Sequence, residues 1–90
     1  MSTKGMDVEQ VRNFGNQLKS QYAEQVRTLK STLQTTVQGL NWTGEDANQF
    51  KGDRWASVAQ LAESLAVKLD ELGQTALTNA TNQDTTSAQV

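Results

Sequence analysis

The sequence predicts an all-α protein that folds as an antiparallel helix-turn-helix hairpin. Three observations support this fold class: the 90 residues include no proline, apolar residues recur at helical spacing along two long segments, and a short glycine-containing connector separates those segments. Because proline interrupts helices, its absence permits long helices. Neither segment shows the strict alternation that is typical of a β-strand.

The first helix is predicted over residues 8–38, after an N-terminal cap in residues 1–7. From Val8 onward, apolar residues follow in nine steps of three or four residues that together span 32 residues, about 3.56 per step. Asp7 is a favourable N-cap, because its carboxylate can accept a hydrogen bond from a backbone N–H group of the first turn. Gly39 is expected to end the helix as a left-handed C-cap.

A Trp-x-Gly turn is predicted over residues 39–43, and a second helix over residues 44–78. Thr43 and Asp46 have the spacing of a capping box at the start of this helix. Residues 79–90 are polar and rich in threonine, so we expect them to form a flexible tail. The chain is therefore a single domain.

The short connector forces the two helices to run antiparallel. Their charges are complementary: residues 1–40 carry five basic and three acidic side chains, a net charge of +2, whereas residues 41–90 carry three basic and seven acidic side chains, a net charge of −4. Attraction between solvated charges adds modestly to the stability of the hairpin.

A hairpin of this composition has a thin core, since 36% of its residues are apolar and each helix covers one side of the other. Small scaffolds of this kind usually gain stability by oligomerisation. We therefore expect two hairpins to pair into a four-helix bundle dimer with coiled-coil-like packing; a marginally stable monomer is the alternative. The residues expected to flank the apolar stripes, where small side chains let another backbone approach closely, are Ala23 and Thr36 on the first helix and Ala59, Ala62 and Ala66 on the second.

The residues expected to form the core of the hairpin and of the dimer lie on one side of each predicted helix. A step of five residues between Phe50 and Trp55 shifts the stripe of the second helix. The set is Leu18, Leu29, Leu33, Phe50, Trp55, Val58, Leu61, Leu65 and Leu72.

The composition argues against several functions. Without cysteine or histidine the chain lacks thiol and imidazole chemistry, and no metal site or cofactor is expected. Two pairs of adjacent carboxylates, Glu45 with Asp46 and Asp70 with Glu71, do not face each other on a helix, so an enzyme is not expected. The net charge of −2 argues against nucleic acid as a partner. The absence of long apolar runs argues against an integral membrane segment or a secretory signal peptide.

The turn and its surroundings resemble a known family. The triplet Trp42-Thr43-Gly44 lies near the middle of the chain, between the two amphipathic helices. Residues Asp46, Ala47, Phe50 and Trp55 are similar to the start of that family's second helix, and Leu77 to Gln83 resemble the end of its actinobacterial members. Over residues of about 7 to 84, the sequence thus resembles the WXG family of early-secreted-antigen-like proteins of type VII (ESX) secretion systems.

This resemblance implies a function. Members of the family pair as homodimers or heterodimers with a related small helical protein, and a membrane ATPase exports them folded, without a cleaved signal peptide. They act as secreted effectors or as co-secreted partners of other substrates. The resemblance therefore implies a protein that is cytoplasmic before export and extracellular afterwards.

The family's export signal, Tyr-x-x-x-Asp/Glu after the second helix, has an incomplete counterpart here. The corresponding residues are Ala80 and Asp84, which keep the acidic group and lack the aromatic one; the single tyrosine, Tyr22, lies in the first helix. Either this degenerate signal works, or a partner chain supplies the signal.

Two interpretations also remain for the turn and for the whole chain. Trp42 is expected to form half of a recognition surface with the tail of the other chain, as the resemblance implies, or to act as a hydrophobic staple that closes the turn; the two roles are compatible. Gly44 is expected to relieve crowding at the start of the second helix. The alternative to an exported protein is a cytosolic coiled-coil adaptor, in which the Trp-x-Gly turn has a purely structural role.

Overall fold

Two long helical arms, joined by a tight turn, make up the part of the chain that the computed structural model describes, which is residues 5–89 for the backbone and 5–84 for the side chains. Residues 1–4 of the predicted N-terminal cap lie outside it. No strand occurs within these described residues. The arms pack side by side into a rod of 68 × 16 × 15 Å. The predicted all-α hairpin is thereby confirmed.

The first arm consists of α1 (Val8–Gln17), a π-helical segment (Leu18–Tyr22) and α2 (Ala23–Gln38). Asp7 is the N-cap, as the sequence predicts, and its carboxylate accepts a hydrogen bond of 3.1 Å from the backbone N–H of Gln10. The three pieces follow one another without a break and form one continuous helix.

The turn differs from the sequence-based expectation at both ends. Gly39 has φ −85° and ψ −2°, so the prediction of a left-handed C-cap is wrong; its N–H instead bonds to the carbonyl of Thr35 at 3.0 Å. The N-cap of the second arm is Gly44, with no side-chain capping bond, so the capping box of Thr43 is not formed. With φ 109°, Gly44 adopts a conformation that side chains other than glycine rarely tolerate.

The second arm consists of α3 (Glu45–Gln49), a second π-helical segment (Phe50–Arg54) and α4 (Trp55–Gln89). It continues beyond residue 78, the end that the sequence predicts, and much of the expected tail is therefore helical. The reason lies in packing, because Ala80 is fully buried. The side chains of residues 85–90 and the backbone of Val90 lie outside the described part.

The second π-helical segment corresponds to the five-residue step between Phe50 and Trp55 in the apolar pattern, whereas the first lies among regular four-residue steps. The N–H of Ala23 bonds to the carbonyl of Leu18, and the N–H of Trp55 to the carbonyl of Phe50, each five residues back. A π turn holds one residue more than an α turn. The segment between Phe50 and Trp55 thus absorbs the five-residue step, and the buried side of the arm stays turned towards its partner.

The arms approach closely because small residues line their contact, which we call the seam. A Cβ atom added to Gly73 would lie 2.7 Å from the carbonyl oxygen of Gly15 and 3.1 Å from Cβ of Leu18. The two backbones therefore touch at this crossing. The buried residues of the seam are Gly15, Leu18, Ala23, Ala47, Trp55, Ala66, Gly73 and Ala80.

A ladder of polar bonds connects the arms along the rod. Arg27 is at its centre, where the guanidinium lies 2.8 Å from the carboxylate of Asp70 and 2.9 Å from that of Glu24. These hydrogen bonds raise the pKa of Arg27 above its usual value, and the bond to Asp70 has the largest effect. Further polar contacts between the arms include Arg12 with Asp84 at 3.6 Å, Lys19 with Gln74 at 2.6 Å, Lys30 with Glu63 at 3.4 Å, Arg27 with Glu63 at 3.7 Å, Gln34 with Trp55 at 3.1 Å and Gln38 with the carbonyl of Lys51 at 2.9 Å.

Candidate functional site

The hairpin leaves most of its large apolar side chains uncovered. Leu18 and Trp55, 4% and 8% exposed, are the large residues among its buried ones; the others are alanine and glycine. The exposed large apolar residues are Phe14, Tyr22, Leu29, Leu33, Leu40, Trp42, Phe50, Val58, Leu61, Leu65, Val67 and Leu72. A soluble monomer rarely exposes so much contiguous apolar surface without a role in binding.

These exposed residues hold a fixed position relative to the seam on both arms. Many of them stand directly before a buried or half-buried residue. The clearest pairs are Phe14 before Gly15, Tyr22 before Ala23, Leu65 before Ala66 and Leu72 before Gly73. Because a helix turns by about 100° per residue, the exposed stripe of each arm lies roughly a quarter turn from the seam.

Equal offsets place the two stripes on the same face of the hairpin. Two antiparallel helices are related by a two-fold axis perpendicular to the plane that contains them. A rotation of the same size and hand from the seam therefore brings both stripes to one side of that plane. We call this surface the apolar face: Phe14, Tyr22, Leu29, Leu33, Phe50, Val58, Leu61, Leu65 and Leu72. Val67, two residues after Leu65, lies off this face.

The apolar face begins at the turn and ends before the far end of the rod. Its last large residues are Phe14 on the first arm and Leu72 on the second. The exposed positions beyond them, such as Gln10 and Asn79, are polar. From Phe50 to Leu72 the face spans about 33 Å, at 1.5 Å per residue.

Three charged side chains on the second arm directly precede a buried or half-buried residue: Asp46, Arg54 and Lys68. Their formal charges sum to +1. By contrast, the acidic groups of Glu63 and Asp70 bond to basic groups of the first arm in the polar ladder. The two sides of the hairpin thus differ in chemistry, one apolar and the other bonded through charges.

The aromatic residues of the turn extend the apolar face at its tip. The ring of Trp42 lies 5.3 Å from that of Phe50, centroid to centroid, with an interplanar angle of 54°. Both rings are accessible, since Trp42 is 41% and Phe50 44% exposed. Lys51 fixes the turn from the other side by donating a hydrogen bond of 2.7 Å to the carbonyl of Leu40.

The structure separates the expected core residues into two groups. Leu18 and Trp55 lie in the seam. The other seven, Leu29, Leu33, Phe50, Val58, Leu61, Leu65 and Leu72, are exposed on the apolar face. The hairpin instead buries the small residues: Ala23 and Ala66 are fully inaccessible, and Ala59 and Ala62 are half-buried. The spacing of Ala59, Ala62 and Ala66, at three and four residues, is the sequence signal for this buried stripe, although these residues were expected on the flanks of the apolar stripes.

The two residues that correspond to the family's export signal differ in accessibility. Ala80 is fully buried in the seam, so its side chain is not presented to solvent. Asp84 is largely exposed and lies 3.6 Å from Arg12 of α1. Both residues thus contribute to closing the end of the hairpin.

Two other kinds of site are not found within the described residues. None of the helices described is long and apolar enough to cross a membrane. Nor do residues 5–84 contain a group of three or more metal-binding side chains arranged to hold an ion. The fold and its surface thus define a two-helix hairpin with one open apolar face. Comparison with protein-family models, curated proteins and solved structures found no match to this chain.

Proposed function

We propose that this chain is a small secreted protein of the WXG kind, which a type VII (ESX) secretion system exports as a folded dimer. It would act outside the cell as an effector or as a co-secreted partner of another substrate, in a binding role without catalysis. Before export it would reside in the cytoplasm. The hairpin, with Trp42-Thr43-Gly44 at its turn, is the architecture that the family resemblance implies.

The observation that carries this proposal is the open apolar face. A hairpin that buries mainly alanine and glycine gains little stability from its own seam, because small side chains remove little apolar area from water. Pairing with a second hairpin would cover Leu61 and Leu65, which are 70% and 50% exposed. The product would be a four-helix bundle.

The turn supports recognition by a further partner, which we propose is the ATPase of the secretion system. Trp42 is held against Phe50 yet remains accessible at one end of the rod. A partly exposed tryptophan is a frequent anchor of protein interfaces. Trp42 would therefore have both roles: it closes the turn, and a partner recognises it.

The burial of Ala80 favours an export signal in a partner chain. A docking signal needs side chains that reach its receptor, and Ala80 presents none. We propose that Asp84 and its neighbours are insufficient alone and that a hairpin with a complete Tyr-x-x-x-Asp/Glu tail supplies the signal. Where two copies of this chain pair, that tail would belong to a substrate with which the dimer travels.

The proposal predicts that the untagged chain accumulates in culture supernatant while a cytosolic lysis marker does not. Deleting the ATPase gene should abolish this accumulation. The substitution Trp42→Ala should lower secretion strongly but leave the far-ultraviolet circular dichroism nearly unchanged, because loss of one partly exposed aromatic pair costs about 0.5–1.5 kcal/mol.

Val67→Ala is the matched control, because Val67 is equally exposed, at 41%, and lies off the apolar face. Its secretion should equal that of the parent. A chain that stays in the cytosol with the intact secretion machinery and its partner present would support the adaptor instead. Equal secretion of Trp42→Ala and the parent would remove Trp42 from the recognition surface.

A further inference from the structure

We propose that Gln38 is a positioning residue, which holds the π-helical segment Phe50–Arg54 in shape and thereby keeps the ring of Phe50 against Trp42. Its side-chain amide donates a hydrogen bond of 2.9 Å to the carbonyl of Lys51, inside that segment. The role of the aromatic pair in export rests on the proposed function, whereas the bond and the position of the rings do not.

The bond from Gln38 supplies a donor that the π-helical segment itself does not provide. In an α-helix, the N–H of Trp55 would bond to the carbonyl of Lys51, four residues back. Here it bonds to the carbonyls of Phe50 and Gly52 instead. The amide of Gln38 replaces the missing donor, and it therefore stabilises the π turn relative to an α turn, in which this carbonyl would already be bonded.

Lys51 is also bonded to the first arm through its side chain. Its ammonium group donates a hydrogen bond of 2.7 Å to the carbonyl of Leu40, two residues after Gln38. Backbone and side chain of one residue in the π-helical segment are thus both connected to the end of the first arm. We call these two hydrogen bonds the latch.

The π turn determines which side of the second arm faces the first arm. Ala47 and Trp55, eight residues apart, are both buried in the seam. At about 100° per residue, an unbroken α-helix would place them about 80° apart around its axis. The π turn accommodates one extra residue, which reduces this offset to about 20°. The start of the second arm therefore keeps its orientation only while the π turn persists.

The contact between the aromatic rings depends on this orientation. The ring of Phe50 lies 5.3 Å from that of Trp42, centroid to centroid. If the π turn became an α turn, the residues before it would rotate by up to about 100° relative to α4, and the rings would separate. Gln38 thus acts on Trp42 through Phe50, without a need to touch any partner itself.

The first test removes the donor from Gln38 and keeps its size. Gln38→Met has an unbranched side chain of similar helix propensity and no N–H group. Since Gln38 is exposed, the variant should keep the helicity of the parent. Hydrogen exchange at the amide of Trp55 should become roughly 2- to 10-fold faster, and nuclear Overhauser contacts between the rings of Trp42 and Phe50 should weaken. Gln60→Met, at an exposed glutamine of α4 away from the turn, is the matched control and should change neither.

Deletion of Gly52 is the second test, because it should make the latch unnecessary. Without Gly52, the bond from the N–H of Trp55 to the carbonyl of Phe50 spans four residues, as in an α-helix. The second arm then keeps its orientation as an ordinary helix, so the aromatic contact should survive. In this background, Gln38→Met should leave the aromatic contact and the exchange at Trp55 unchanged, a non-additive result that a general loss of stability would not give.

Unchanged ring contacts and exchange in Gln38→Met would overturn the proposal, as would equal losses with and without Gly52 or an equal effect of Gln60→Met. Secretion of the same variants separates this proposal from the proposed function. Weakened ring contacts with undiminished secretion of Gln38→Met would support the latch and contradict recognition of the aromatic pair by the export machinery.

Discussion

The closest approach of the two arms is set by two glycines. Gly15 and Gly73 face each other across the seam. A Cβ added to Gly73 would lie 2.7 Å from the carbonyl oxygen of Gly15, and a Cβ added to Gly15 would lie 2.9 Å from the carbonyl oxygen of Gly73. Such separations are below normal van der Waals contact. Glycine is costly inside a helix, so its presence at these positions is explained by the packing of the arms.

Gly73→Ala should therefore destabilise the hairpin by about 1–3 kcal/mol, as overpacking of a tight contact does, despite the higher helix propensity of alanine. Gly52→Ala should have the opposite effect and stabilise the chain by up to about 1 kcal/mol, because nothing lies within 4 Å of the added Cβ. Urea unfolding followed by circular dichroism measures both. Stabilisation by both substitutions would mean that the arms do not touch at Gly73.

The buried positions of the alanines could not be predicted from the sequence. Helical spacing places the apolar residues of each arm on one side of the helix, as observed. It does not show whether the stripe of large residues or the adjacent stripe of small residues contacts the other arm. Leucine has more area to bury than alanine, so Leu61 and Leu65 were expected in the shared core. In the single hairpin the alanines are buried instead, because small side chains let the two backbones approach closely enough for the polar ladder to form.

The elements themselves were largely predictable. The first helix has the bounds that the sequence indicates, because Asp7 caps it and Gly39 ends it. The end of the second helix was not predictable from composition. Threonine and asparagine weaken helix propensity, yet α4 continues to Gln89, since tertiary packing of Ala80 outweighs those local preferences.

The packing of this last part of α4 can be tested with an aromatic residue. Ala80→Tyr would introduce a large aromatic side chain at a position where Ala80 is fully buried. The larger ring should force α4 away from α1 and destabilise the hairpin by about 1–3 kcal/mol. The measurement is hydrogen exchange of the amides of α1 (Val8–Gln17), which should become faster.

Asn82→Tyr is the control, since Asn82 is exposed two residues further along the same helix. It should leave exchange in α1 unchanged. Equal protection in both variants would contradict the packed end of the hairpin and would make residue 80 accessible for docking.

At the scale of the whole molecule, the central claim is that the hairpin is half of a bundle. The polar ladder holds the arms together on one side of the rod, and the apolar face leaves the other side open. A monomer of this shape would expose this face to water along about 33 Å. Side-by-side pairing of two hairpins removes it from water without any change in the hairpin itself.

Small-angle X-ray scattering of the full chain tests this claim most directly, because it reports mass and shape together. Pairing along the apolar face doubles the mass of 9.9 kDa, while the radius of gyration stays close to the 19.7 Å of one hairpin, since packed helix layers lie only about 10 Å apart; a lengthwise offset would add a few ångströms. A single-chain mass with an unchanged radius, both for the chain alone and in the presence of the proposed partner hairpin, would contradict the claim. So would a doubled mass with a radius of about 40 Å from end-to-end contact.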